Sequence, residues 1–226
     1  MQTDAIDAGH APKEPHLRFQ FSDSARQFHA AKFGMWLFLG QEVMFFSALF
    51  CAYAYYRNQF PDAFFRASQH LNTTFGLLET IDLLTSSLTV ALAIHFIRQG
   101  KRGLTSVMLI ITIACAFIFL VMHGHEYATE FHEGLLPGRF FHPEAHLEGP
   151  ALPMESAMFF TCYFFLTVLH SIHVLIGIGV LSVVLAFNMR GKYSQAYYTH
   201  VEVGGLYWHL VDLIWIFLFP LLYLVT

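Results

Sequence analysis

The sequence predicts an all-α integral membrane bundle of five transmembrane helices, with the N-terminus cytoplasmic and the C-terminus external. Three observations carry this. Of the 226 residues, 56% are hydrophobic and 12% charged, and Phe alone fills 25 positions; a soluble domain of this length cannot cover such a mixture with polar surface. Five stretches reach the roughly 20 apolar residues that crossing a hydrocarbon core of about 30 Å requires. The basic residues divide unequally between the alternate flanks of those stretches, and that division sets orientation.

The N-terminal segment, 1–32, is polar and is expected on the cytoplasmic side. Asp4, Asp7, Glu14 and Asp23 are scattered there among four basic residues, without a short apolar run ending in a cleavage site. A secretory signal is not expected, and neither is an Arg-rich, acid-poor transit sequence, so the first apolar segment should direct its own insertion. A single membrane domain follows over 33–226, with helices at about 33–56, 75–97, 104–122, 156–187 and 203–225. The fourth is long enough to tilt or to protrude. Tyr53, Tyr55, Tyr56, Tyr197, Tyr198 and Tyr223 fall near segment ends, where interfacial anchors belong. Cys51, Cys115 and Cys162 each lie inside an apolar segment with no CxxC pair, and read as small buried hydrophobes.

Lys13, Arg18, Arg26 and Lys32 precede the first segment, Arg98, Lys101 and Arg102 separate the second from the third, and Arg190 and Lys192 separate the fourth from the fifth. The opposite flanks hold only Arg57, Arg66 and Arg139, so the first set marks the cytoplasmic side. The long connection, about 127–155, is then external; Pro137, Pro143, Pro150 and Pro153 interrupt it, and its glutamates suit a solvated loop or a partner contact. No internal repeat of the kind found in duplicated transporters is evident. A formal net charge of −4 with dispersed basic residues points to neither a nucleic-acid partner nor a polybasic lipid-binding tail.

Ionisable groups inside a membrane are costly and need a reason. Glu42 sits about nine residues into the first segment, or about 14 Å deep at 1.5 Å per residue. His209 and Asp212, three residues apart, share one face of the fifth segment at similar depth. The spacing and depth allow Glu42, His209 and Asp212 to cluster inside the bundle, either as a structural hydrogen-bond network or as a proton path.

The chain has 14 histidines. His95, His123 or His125, His170 or His173, and His209 place imidazoles on four segments, an arrangement that a b-type haem anchor would need. On these residues alone, a haem-bearing anchor and a non-haem subunit both stand. His132, His142 and His146 in the external connection lack cysteine partners and a fixed ligand spacing, so no metal site is expected there. Phosphate loops, nucleophile elbows and hydrolase-type carboxylate pairs are missing from the sequence, and no catalytic residue is assigned.

Two segments resemble a known family. Phe33-Gly-Met-Trp-Leu-Phe-Leu-Gly-Gln-Glu42-Val-Met-Phe-Phe is similar to the Glu-bearing helix of haem-copper respiratory oxidase subunit III, and Tyr207-Trp208-His209-Leu-Val-Asp212-Leu-Ile-Trp215 resembles its C-terminal helix. Leu71-Asn72-Thr73, Glu126-Tyr127, His170-Ser-Ile-His173-Val-Leu-Ile-Gly177 and Glu202 agree with the same family, which extends the likeness from about Lys32 to the C-terminus. The mitochondrial-type subunit has seven helices. This chain resembles the shorter bacterial type without the first two, which leaves open what forms the family's lipid-filled cleft.

The resemblance implies an accessory subunit of an oxidase that reduces oxygen to water and translocates protons, with cytochrome c or quinol as donor. Haem and copper are then expected on partner subunits and none on this chain, with bound phospholipid, direct contact with subunit I, and subunit II and other respiratory complexes as further partners. It implies structural, lipid-associated or proton-uptake roles for Glu42, Glu126, His173, Glu202, Trp208, His209 and Asp212, and a bacterial inner membrane location. A five-helix relative linked to nitric oxide reductase and a b-type haem anchor of a quinol-linked enzyme are the rival readings.

Overall fold

A computed structural model describes residues 19–142, 152–195 and 197–225. The described residues form six α-helices, five of them long and apolar enough to cross a membrane. These are α1 (Ser24–Gln59), α3 (Thr73–Arg98), α4 (Arg102–His132), α5 (Ser156–Met189) and α6 (Thr199–Tyr223); the short α2 (Pro61–Ser68) and a 3-10 turn at Gly138–Phe140 complete the set.

Local chemistry sets the ends. The Asp23 carboxylate accepts from the Arg26 N–H at 2.7 Å and caps α1, and that bond holds its pKa below the usual value. Asn72 caps α3 by accepting from the amides of Thr74 and Phe75. Pro61 opens α2, where its missing N–H costs nothing. Gly100, Gly134, Gly138 and Gly191 have positive φ, as the reversals between elements require.

Helix α6 is central. Its apolar window is 61% buried against 17% for α1, which lies at the edge of the bundle. It packs on α3, α5 and α1, while α4 lies against α3 and α5. Small residues permit these approaches: a Cβ on Gly177 of α5 would come within 2.7 Å of the Trp208 ring, and one on Gly205 of α6 within 2.6 Å of Ile94. Trp208 and Trp215 are fully buried, and their indole N–H groups donate to Ser86 (2.9 Å) and Thr80 (3.2 Å) of α3. Asn188 of α5 donates to the Arg102 carbonyl and to Ser106 of α4, and Thr89 bonds Thr112 between α3 and α4. In hydrocarbon, such interhelical bonds supplement packing, by about 0.6–2 kcal/mol each.

Several expectations change. Helix α1 begins at Ser24 rather than about 33, because Asp23 caps a polar first turn continuous with the apolar span. Helix α4 continues to His132, ten positions beyond the expected end, so Tyr127 and Glu130 belong to the bundle and not to a loop. The amphipathic α2 buries Phe64 between Tyr53 and Phe159. Tyr53 and Tyr223 are core residues rather than interfacial anchors, Tyr53 donating to the Leu221 carbonyl at 2.5 Å. Cys115 is buried, but Cys51 is exposed on the outer face of α1. In the connection to α6, Tyr193 is buried against His200, and burial pushes its phenol up to about 12. Within the expected external connection, Pro143, Glu144, His146, Glu148 and Pro150 lie outside the described residues.

Candidate functional site

Polar side chains gather inside the bundle in four groups. At the end where α1 and α6 begin, Glu202 is buried to 4% of its side-chain surface and paired with Lys32 of α1 at 2.9 Å and with Arg98 of α3. Arg98 also lies over the Tyr198 ring. One carboxylate thus ties three helices by charge at the level where their polar ends meet.

The second group joins α1 to α5. Glu42 Oε2 and His173 Nε2 are 3.1 Å apart, both side chains largely buried. His173 Nδ1 lies 2.8 Å from the Leu169 carbonyl and must donate to it, since a carbonyl only accepts. One proton therefore lies between Nε2 and the carboxyl, carried either by Glu42 as a neutral pair or by the imidazole as an ion pair. Tyr207 of α6 donates to the His173 carbonyl, which fixes the same helix segment from its other side.

The third group lies between α3 and α6. His209 Nδ1 bonds Ser87 at 2.8 Å. Asp212 is buried beside the same Ser87 and near Asp82, and neither of its oxygens has a hydrogen-bond partner. The i, i+3 reading of His209 and Asp212 is correct: both face α3. The cluster with Glu42 that spacing and depth allow is not formed, because α1 turns Glu42 toward α5, where His173 meets it.

The fourth group lies where α3 begins and α4 ends. His123 Nδ1 is 3.4 Å from Glu79 Oε1 and 3.6 Å from Glu126 Oε2, and all three residues are buried. Tyr223 of α6 donates to Glu126 Oε2 at 2.6 Å. Phe119 stacks on the His123 ring and Trp215 meets it edge-on. His170, fully buried, packs against Trp215 and Phe119 rather than against another histidine's ring. Next to this group a cavity of about 250 Å³ is lined by Asn72, His125, Glu126, Thr129 and Glu130, among others.

Glu79 and Asp82 were not singled out from sequence, although acids three residues apart inside an apolar segment carry the same signal that marks Glu42. The position of Tyr223 at the end of the last apolar segment points to the interface, where such tyrosines commonly lie. Only the fold reveals that it turns inward to a carboxylate.

An all-helical, multi-pass membrane protein whose buried polar side chains link its helices is the class that this architecture defines. A family model for cytochrome c oxidase subunit III matches residues 19–133 and 147–226. Cytochrome c oxidase subunit 3 of Corynebacterium diphtheriae is 31% identical over 85% of this chain and 86% of that protein. Quinol oxidase subunit 3 of Bacillus spizizenii is 29% identical over 84% and 85%, and cytochrome c oxidase subunit 3 of Synechocystis is 30% identical over 99% and 87%. The chain belongs to the cytochrome c oxidase subunit III family. The resemblance read from its motifs, an oxidase subunit III of the haem-copper class, is thereby established, and partner oxidase subunits follow from it.

Proposed function

We propose that the chain acts as a non-redox subunit III in the plasma membrane of a bacterium, in direct contact with subunit I of a proton-pumping terminal oxidase. The family match along most of the chain is the observation that carries this reading. The oxidase takes electrons from cytochrome c or quinol, carries its haem and copper on partner subunits, and this subunit sustains proton uptake and holds phospholipid.

The partition of basic residues supports a cytoplasmic N-terminus and an external C-terminus. Lys32 and Arg98, gathered on Glu202, then lie toward the cytoplasmic side. Exposed apolar side chains on α1, including Phe33, Trp36 and Met44, supply surface for subunit I and for lipid. Of the histidines that a haem anchor would require, His173 is engaged by Glu42 and His209 by Ser87. In this reading Glu42, Glu126, His173, Glu202, Trp208, His209 and Asp212 hold helices together, and none is catalytic.

The test is mild-detergent affinity purification of the tagged chain from its native membrane, read by mass spectrometry and a reduced-minus-oxidised spectrum. Co-purification with a haem-copper subunit I, and no haem band on the chain once separated from it, is expected. Haem retained on the isolated chain overturns the proposal in favour of a cytochrome anchor.

A further inference from the structure

The residues Glu79, His123 and Glu126 have a feature that a purely structural network would not leave. Both oxygens of Glu79, both ring nitrogens of His123 and Oε1 of Glu126 are buried without a hydrogen-bond partner. Buried polar groups are nearly always satisfied, and three neighbouring buried side chains that all hold unsatisfied atoms indicate something that satisfies them together. One potential ligand atom from each residue lies within 4.8 Å of the others.

The spacing identifies the class of occupant. Zn²⁺ binds imidazole nitrogen and carboxylate oxygen at about 2.0–2.2 Å in a tetrahedron, whose ligand atoms are then about 3.3–3.5 Å apart. His123 Nδ1 lies 3.4 Å from Glu79 Oε1 and 3.6 Å from Glu126 Oε2, the oxygen that also accepts from Tyr223. An octahedral Mg²⁺ site at about 2.1 Å would bring neighbouring ligands to about 3 Å and would use oxygens rather than imidazole. Two carboxylates, a neutral imidazole and a divalent cation also sum to zero charge, which suits a buried position in a membrane protein.

The surroundings supply the other parts of a metal site. The Tyr223 hydroxyl bonds Glu126 Oε2 and orients that carboxylate, the outer-shell support that ligating groups need. The cavity that Glu126 lines has exposed Asn72, His125 and Thr129 at its edge and so opens on the outside of the bundle. We propose that Glu79 and His123, together with Glu126, form a binding site for one tetrahedral divalent transition-metal ion, of which Zn²⁺ fits best, with the fourth position left to water. The site ties α3 to α4 and, through Tyr223, to α6.

The experiment uses the full chain, purified in mild detergent without a histidine tag, stripped with chelator, exposed to Zn²⁺ and desalted. About one Zn²⁺ per chain should be retained, and Co²⁺ in its place should give the intense visible bands of a tetrahedral site. Glu79→Gln should lower affinity at least about tenfold, while Glu42→Gln, outside the cluster, should bind as the unaltered chain does. Retention should also fall as pH is lowered, because protons compete for all three ligands. A wild-type chain that retains no Zn²⁺ and gives no tetrahedral Co²⁺ spectrum overturns the proposal, leaving a cluster that holds protons alone. Equal binding by Glu79→Gln overturns it too, by placing the metal elsewhere.

Discussion

Glu42 and His173 meet across the α1–α5 contact at 3.1 Å with a single proton between them, because the other ring nitrogen of His173 is committed to the Leu169 carbonyl. A neutral amide can replace the carboxyl in that bond, since its N–H donates to Nε2. Glu42→Gln should therefore leave the spectra of the assembled complex unchanged and alter turnover modestly. Glu42→Ala removes the partner altogether, leaves Nε2 unsatisfied, and should cost about 1–3 kcal/mol of stability. Thermal unfolding of the two variants in detergent, compared side by side, checks the difference; equal losses would show that the bond contributes nothing beyond packing.

Glu202 and its two cations differ in burial. The carboxylate is nearly enclosed, whereas the Lys32 and Arg98 side chains are 34% and 53% exposed. Either cation can return to water if its partner is lost, and each alone still neutralises Glu202. Lys32→Met and Arg98→Met should each cost no more than about 1 kcal/mol, the usual value of a partly exposed pair. The double variant leaves a buried carboxylate unpaired and should cost about 3–5 kcal/mol, well beyond the sum. A double-mutant cycle by denaturant or thermal unfolding measures the excess.

What could be read from sequence follows the physics of each signal. The five spans are set by hydrocarbon thickness and apolar length, so all five were legible. The amphipathic α2 and the extra turns of α1 and α4 were not, because their polar faces interrupt the apolar windows while their caps and packing maintain the helix. The i, i+3 spacing of His209 and Asp212 established a shared face but not which helix that face meets. Glu42 was recognised as a misfit by its depth, but its partner depended on how α1 rotates against α5, which no local pattern encodes. Glu79 carries the same signal of an acid inside an apolar segment, but its partners, His123 and Glu126, lie on α4, and no local pattern encodes that meeting.

Asp23 makes α1 sensitive to acid at its first turn. Its pKa is held below the ordinary 3.8 chiefly by the bond from the Arg26 amide. A lowered carboxylate stabilises the folded form fully above the unfolded value and loses that contribution as pH falls through the folded value. The cap should thus be intact at neutral pH and weaken only below about pH 3.8, in the acid range typical of Asp. Amide exchange of the first turn, followed by NMR or mass spectrometry after correction for intrinsic rates, should show protection lost in that window. Asp23→Asn, which caps without titrating, should remove the pH dependence while retaining protection.

The contact between Gly177 of α5 and Trp208 of α6 is set by the absence of a side chain. An added Cβ would lie 2.7 Å from one ring carbon and 2.8 Å from another, and the indole is held by its bond to Ser86 and by full burial. A ring so held yields little, so α5 must shift away from α6. Gly177→Ala should therefore cost about 1–3 kcal/mol, the usual range for overpacking, despite alanine's better helix propensity. Gly179, two positions along the same helix, has nothing within 4 Å of a built Cβ, and Gly179→Ala should be neutral or stabilising by up to about 1 kcal/mol. Because the two substitutions share chemistry, helix and depth, their difference isolates the close approach of α5 to α6. Equal unfolding midpoints would mean that the helices do not meet at Gly177.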